Sequence, residues 1–268
     1  MTRIWLLALG AMAIAALAAC GTDESDDTRS PSGTITVSAA SSLTDAFQEI
    51  GDKFHARFPG ASARFNFGSS AALARQIREG APSDIFAPAD PGEIDALRAS
   101  GLVDGPAVVF AANQLAVVAP AKSQRVRTFQ DLGMPGVRLV VAARSVPAGS
   151  YARTLFHNAA ALYGDQFETD ALANIRSEDP NVRAVLARVQ LGEADAGVVY
   201  STDIVAGGRD VRVVEIPASI NVRSRYAAVV IADQGHRAAA SAFVTLLSSA
   251  EAQEVFTRRG FLPAEAQP

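Results

Sequence analysis

An α/β architecture with mainly parallel sheets is predicted by three observations. Short β-prone runs alternate with helix-spaced apolar runs along the whole chain after residue 34. Turn-forming residues separate the runs. The hand-over from strand to helix repeatedly carries serine, glycine or a helix-start signal, and in open α/β sheets these hand-overs are where ligands bind.

Taken in order, Ile35-Thr36-Val37 reads as a strand. Leu43, Ala46, Phe47, Ile50, Phe54 and Phe58 then recur at helical spacing until Pro59-Gly60. Phe65-Asn66-Phe67 alternates like a strand, Ala71 to Glu79 reads as a helix stopped by Gly80, and Asp84 to Ala87 is strand-like. Asp90-Pro91 has the form of an N-cap followed by a first-turn proline for a helix ending near Gly101. Leu115 to Ala119 and Val137 to Val141 read as buried strands, and helices are expected at Tyr151 to Tyr163 and Val182 to Gln190. Gly197 to Tyr200, Val211 to Ile216 and Tyr226 to Ala232 read as strands, before one long helix from His236 to Arg258.

The first residues read differently. Arg3 precedes an uncharged apolar run, Ile4 to Ala19, too short for a membrane-spanning helix and ended by small residues, so residues 1–19 read as an export signal. Leu17-Ala18-Ala19-Cys20 resembles a lipoprotein processing box, which makes Cys20 the expected lipid-attachment site. Cys20 is the single cysteine, so no disulfide forms within one molecule. Residues 20–33 are polar and acidic and read as a flexible tether. The expected location is the outer face of the cell membrane. The net charge of -4, without a basic stripe, excludes a nucleic-acid partner.

Enzyme signatures are absent: there is no Gly-x-Ser-x-Gly, His-Glu-x-x-His or Gly-x-Gly-x-x-Gly, and no Ser-x-x-Lys before Lys53 or Lys122. His55, His157 and His236 stand apart from one another in the sequence and read as packing residues. Asp165 to Asp170 lacks the glycine of a calcium loop and reads as a solvated loop.

Four segments place hydroxyls or bare amides where helices begin. They are Ser41-Ser42-Leu43-Thr44-Asp45, Gly68-Ser69-Ser70-Ala71, Val146-Pro147-Ala148-Gly149-Ser150 and Pro180-Asn181-Val182-Arg183. The first N–H groups of a helix lack intrahelical partners and carry a partial positive charge, so several starts converging on one point make an anion site without lysine or arginine. Singly, each motif fits a plain cap or turn. Ser42 with Asp45 has the form of a capping box, and Pro147-Ala148-Gly149 that of a turn.

Together the segments resemble the periplasmic molybdate-binding protein family, from about Ile35 to Phe261. The resemblance rests on Ile35 to Thr44, Phe67-Gly68-Ser69-Ser70, Leu73 to Ile77 and Gly80 to Phe86. It continues in Val146 to Ala152, Asn181-Val182-Arg183 and Glu193 to Tyr200. It implies a two-lobed periplasmic-binding-protein fold of type II with the ligand cleft between the lobes. Lobe 1 would comprise 34–112 and 222–268, lobe 2 would comprise 113–221, and the chain would cross near Asn113 and Asn221. A tetrahedral dianion, molybdate or tungstate, would be held by the hydroxyls and amides of Ser42 and Ser70, the amides of Ala148 and Val182, and the phenol of Tyr200.

Two departures name alternates. Ser41 stands where the family has a small apolar residue, and the longer run before Val182 makes Asn181 an alternate donor. Tyr200 groups the chain with members that use hydroxyls and not with those that supply carboxylates. The resemblance further implies delivery to the permease of an ATP-driven ABC importer, a monomer, no catalysis and no cofactor; molybdenum would enter only as bound molybdate. Another oxyanion such as sulfate is the main rival ligand, and a cation in the site, Arg75, Arg144 or Arg183, would favour a different receptor. An enzyme with a dispersed triad and a ligand-free adhesion lipoprotein are the remaining rivals.

Overall fold

A computed structural model of the protein describes residues 30–232 and 235–264. The expected signal, tether and Cys20 anchor lie outside the described residues, except for the last few residues of the tether.

The first part runs β1 (Gly33–Ala40), α1 (Thr44–Arg57), β2 (Ala61–Gly68), α2 (Ser70–Arg78), β3 (Ile85–Ala87) and α3 (Gly92–Ala99). β4 (Val103–Pro120) leads to β5 (Leu139–Ala142), α4 (Pro147–Tyr163), α5 (Asp165–Ala173), β6 (Ile175–Asp179), α6 (Val182–Gln190), β7 (Ala196–Tyr200), α7 (Ser201–Gly207) and β8 (Val211–Val214). β9 (Arg223–Ile231), α8 (Arg237–Leu247), α9 (Ala250–Arg258) and β10 (Leu262–Pro263) follow.

Among the described residues the strands pair in the order β2-β1-β3-β9-β4-β7-β5-β6, with β8 and β10 also on β4. The parallel ladders expected from the sequence make up both wings: β1 with β2 and β3, and β5 with β6 and β7. The centre is antiparallel, because β4 pairs with β7, β8 and β9 in that sense. β4 pairs with β9 as far as Gln114 and with β7 from Leu115 onward, so it changes partner within one residue step. The returning chain is bound to it there, by Leu115 N–H to the Val222 carbonyl at 3.2 Å and Asn221 Nδ2 to the Leu115 carbonyl at 3.0 Å.

Side-chain packing explains which segments go together. α1 buries Ala46, Phe47, Ile50 and Phe54 along one face. Phe47 meets Phe65 of β2, Phe110 of β4, Phe243 of α8 and Phe256 of α9 with ring centroids 5.7 to 6.3 Å apart. Each buried phenylalanine contributes roughly 1.5–3 kcal/mol, and this cluster joins the two ends of the chain. On the other side, Phe129, Tyr163 and Phe167 pack together around the start of α5.

Several elements differ from expectation. Residues 103–114, for which the sequence predicts no element, are strand; the β4–β9 ladder shifts register between Asp104 and Val108 and between Val109 and Ala111, and so accommodates Gly105-Pro106. Residues 165–170 form a helix and not a loop, because Phe167 and Ala171 are buried on one face of it. The C-terminal helix is broken at Ser248-Ser249, where the Ser249 hydroxyl accepts from Ala252 N–H and caps α9. β6 and α7 had no periodic signal, being short and polar or short and strand-flanked.

Candidate functional site

The four helix starts converge. Ser41 and Ser42 lie in the tight turn between β1 and α1, Ser70 opens α2 after β2, Ala148 is the second residue of α4 after β5, and Val182 opens α6 after β6. Tyr200 closes β7. All lie where a strand of a parallel wing hands over to its helix, and one small cavity is lined by Ser41, Ser42, Ser70, Ala148, Asn181, Val182 and Tyr200, with Ser69, Pro147 and a few small neighbours. No charged residue lines it.

Local structure explains why these groups face a cavity and do not simply cap helices. Ser42 and Asp45 form no capping box: no side chain caps α1. The Ser42 hydroxyl instead meets the Tyr226 hydroxyl at 2.8 Å, and Asp45 receives Arg183 Nη2 at 2.6 Å. The Ser70 hydroxyl accepts from Ala89 N–H at 3.0 Å, which leaves its own proton to donate. Asn181 does cap α6, accepting from Ala184 N–H at 3.0 Å through its side chain, so its side-chain oxygen is committed. Gly149 is required by close approach: a Cβ there would lie 2.1 Å from the Ala143 carbonyl oxygen and 2.2 Å from that of Ala142. The start of α4, with the Ala148 amide, is thereby pressed onto the end of β5.

Tyr200 is buried, and its hydroxyl has no hydrogen-bond partner among the described residues. Ser224 lies near enough to influence the phenol, but neither oxygen reaches hydrogen-bond geometry. Burial first, then the neighbouring Tyr226 and Tyr151, holds the Tyr200 phenol well above its ordinary pKa, so it stays a neutral donor. An unpaired buried hydroxyl costs about 1–3 kcal/mol unless a ligand completes it.

The three arginines considered from the sequence stand outside the cavity lining. Arg75 is exposed beside Glu79, and Arg144 lies on a separate surface pocket. Arg183 pairs with Asp45 at 2.6 Å, and its Nε lies 3.1 Å from Asp203 Oδ1, an ion-pair distance without hydrogen-bond alignment. Asp203 is fully buried and accepts from Tyr200 N–H at 3.0 Å. Desolvation pushes its carboxyl up to about 6 against the pull of Arg183 and that N–H, with Asp45 adding a smaller upward push.

The histidines make local contacts: His55 with the Ala61 carbonyl, His157 with Glu168, and His236 with Asp84. Among the described residues no group of three or more His, Cys, Asp or Glu side chains is placed to hold a metal ion. Sequence reasoning missed Tyr226 and Asn113. Tyr226 lies inside a run read as strand and Asn113 is marked only as a crossing point between lobes, so neither carries a helix-start signal.

A crevice at the strand ends of an α/β fold, lined by hydroxyls and helix-start amides, defines a receptor for a small solute. The chain belongs to the family of bacterial extracellular solute-binding proteins, whose family model matches residues 35–262. Among its relatives is the molybdate-binding protein ModA of Mycobacterium tuberculosis, 35% identical over 260 residues that cover 94% of this chain and 95% of that protein. The fold is shared with the periplasmic molybdate-binding protein of Azotobacter vinelandii, at a TM-score of 0.75, 21% identity and coverage of 86% of this chain and 100% of that one. It is shared equally with the sulfate-binding protein SubI of Mycobacterium tuberculosis, at a TM-score of 0.77, 21% identity and 87% coverage of both chains. The fold alone therefore does not choose between these anions.

Proposed function

We propose that the protein captures molybdate or tungstate outside the cytoplasm and delivers it to the permease of an ABC importer. The observation that carries this is the lining of the cavity: Ser42, Ser70 and Tyr200 supply hydroxyls, and the starts of α2, α4 and α6 supply amides, with no carboxylate or cation. A charge-assisted hydrogen bond is worth roughly 1.5–3 kcal/mol. Several together exceed the roughly 8 kcal/mol of micromolar binding, even after desolvation and ordering costs take a large share. Hydrogen phosphate carries a proton that would find no carboxylate to accept it, only hydroxyls whose own protons are needed by the anion's oxygens, and is disfavoured.

In this reading Ser42, Ser70, Ala148, Val182 and Tyr200 hold the anion, with Ser41 and Asn181 as flanking wall. Residues 34–112 with 222–268 form one lobe and 113–221 the other, supported by the change of partner at Gln114 and Leu115 and by the aromatic cluster that ties α8 and α9 to α1. The lobes close on the anion by a hinge at the paired crossing segments. The protein works as a monomer, needs no cofactor, performs no catalysis, and is held to the membrane by a lipid on Cys20.

Preference for molybdate over sulfate rests on the kinship with ModA. The test is isothermal titration of tether-free protein with molybdate, tungstate, sulfate and phosphate at one near-neutral pH. Tight binding of the first two alone is expected. Equal binding of sulfate would make the protein a general dianion receptor, and no heat from any of the four would overturn the reading.

A further inference from the structure

The Ser42 hydroxyl on the cavity wall is joined to a buried chain of polar side chains that spans the sheet junction. Asn113, fully buried where β4 changes partner, accepts through Oδ1 from Gln114 N–H at 2.9 Å and from the Ser201 hydroxyl at 2.7 Å. Two donors on Oδ1 fix the orientation of the amide, so its NH₂ group serves Thr202 Oγ1 at 3.1 Å and the Tyr226 hydroxyl oxygen at 3.4 Å. The Tyr226 oxygen thus receives a hydrogen bond, and its own proton needs an acceptor.

Among the described residues Ser42 Oγ, at 2.8 Å, is the hydrogen-bond partner that can take that proton. Ser224 stands near both phenols but forms no hydrogen bond of its own. A phenol is also a stronger donor than an aliphatic alcohol, so the pair settles with Tyr226 giving and Ser42 receiving. One lone pair of Ser42 is then occupied, and its proton is left for the cavity. Ser70 is set the same way by a simpler device, the Ala89 N–H.

We infer that Tyr226 and Asn113 are specificity-determining positioning residues: they orient Ser42 so that it presents its proton to the ligand in preference to a lone pair. Neither lines the cavity. Their effect passes through Ser42 and falls on oxyanions that carry a proton, because those need an acceptor in the wall. The inference rests on the oxyanion reading and deepens it.

The experiment compares binding of molybdate and of hydrogen phosphate by titration calorimetry in wild type, Tyr226→Phe, Ser42→Ala and the double variant. Tyr226→Phe frees a lone pair on Ser42, and the molybdate-to-phosphate affinity ratio is expected to fall at least tenfold. In the Ser42→Ala background the same change is expected to leave the ratio unmoved, since the residue it acts through is gone; a merely structural role would lower both affinities alike in either background. Asn113→Asp is the second variant: it offers Tyr226 an acceptor in place of a donor, draws the phenol proton away from Ser42, and is expected to lower the ratio in the same direction. A ratio unchanged in both Tyr226→Phe and Asn113→Asp overturns this inference while the oxyanion reading stands. Wild type that binds neither molybdate, tungstate nor sulfate overturns the reading itself and this inference with it.

Discussion

The hydroxyls of Ser42 and Tyr226 lie 2.8 Å apart although 184 residues separate them in the chain. This contact removes Ser42 from the helix-capping role its spacing from Asp45 suggests, and leaves a serine whose remaining hydrogen-bonding capacity faces the cavity.

Ser42→Ala combined with Ser70→Ala deletes two hydroxyl donors from the wall. We expect molybdate affinity to fall at least tenfold, since each lost charge-assisted bond is worth roughly 1.5–3 kcal/mol. The circular dichroism spectrum should stay that of the wild type. Titration calorimetry decides, and unchanged affinity would sink the proposed site.

Tyr200→Phe separates binding from stability. The buried phenol has no partner within the protein, so its removal is expected to leave the ligand-free melting temperature unchanged or raise it. Molybdate affinity is expected to drop by about tenfold or more. A protein selected for stability alone would show the reverse. Loss of stability together with full retention of affinity would count against Tyr200 as a ligand donor.

Gly149→Ala tests the close packing of a helix start. The added Cβ would meet two backbone carbonyl oxygens at 2.1 and 2.2 Å, and backbone cannot swing aside as a side chain end can. We expect a loss of about 3 kcal/mol or more in denaturant unfolding. Affinity should also weaken in whatever fraction folds, because the adjacent Ala148 amide must move. A wild-type unfolding midpoint would show the contact to be softer than its geometry.

Asp203 supplies a pH signature. Its carboxyl is buried and pushed up from 3.8 to about 6, chiefly by desolvation, with Arg183, Asp45 and the Tyr200 N–H as the groups acting on it. Between those values the folded state holds a proton that the unfolded chain has released. Its contribution to stability is therefore present at acid pH, falls as pH rises through that window, and is level above it. The fall is on the order of 3 kcal/mol. Urea unfolding of wild type and Asp203→Asn from pH 4 to 7 measures it: the difference between the two curves should decline by that order toward pH 6. Parallel curves would contradict the raised value.

Much of the site was legible because a helix start is a local event. Ser70, Pro147 and Val182 each open a helix in the structure, as their turn and cap signals imply, and the unpaired amides of a first turn follow from the i to i−4 bonding pattern alone. The apolar spacing of Ala46, Phe47, Ile50 and Phe54 likewise determined which face of α1 is buried. What failed was decided by partners distant in sequence. The run Asp165 to Asp170 looks solvated until Phe129 and Tyr163 come to cover Phe167. Residues 103–114 belong to no element predicted from the sequence, and are strand because β9 pairs along them.

The sequence by itself thus determined an alternating α/β chain, its helix starts and the donor chemistry they bring, since these depend on residues a few positions apart. Only the tertiary structure decided that the starts meet in one uncharged cavity, that Arg183 is spent on Asp45, and that Tyr226 and Asn113 stand behind Ser42. The direction of a hydroxyl's hydrogen bond is chosen by whichever group lies against it, and here that group comes from the far end of the chain.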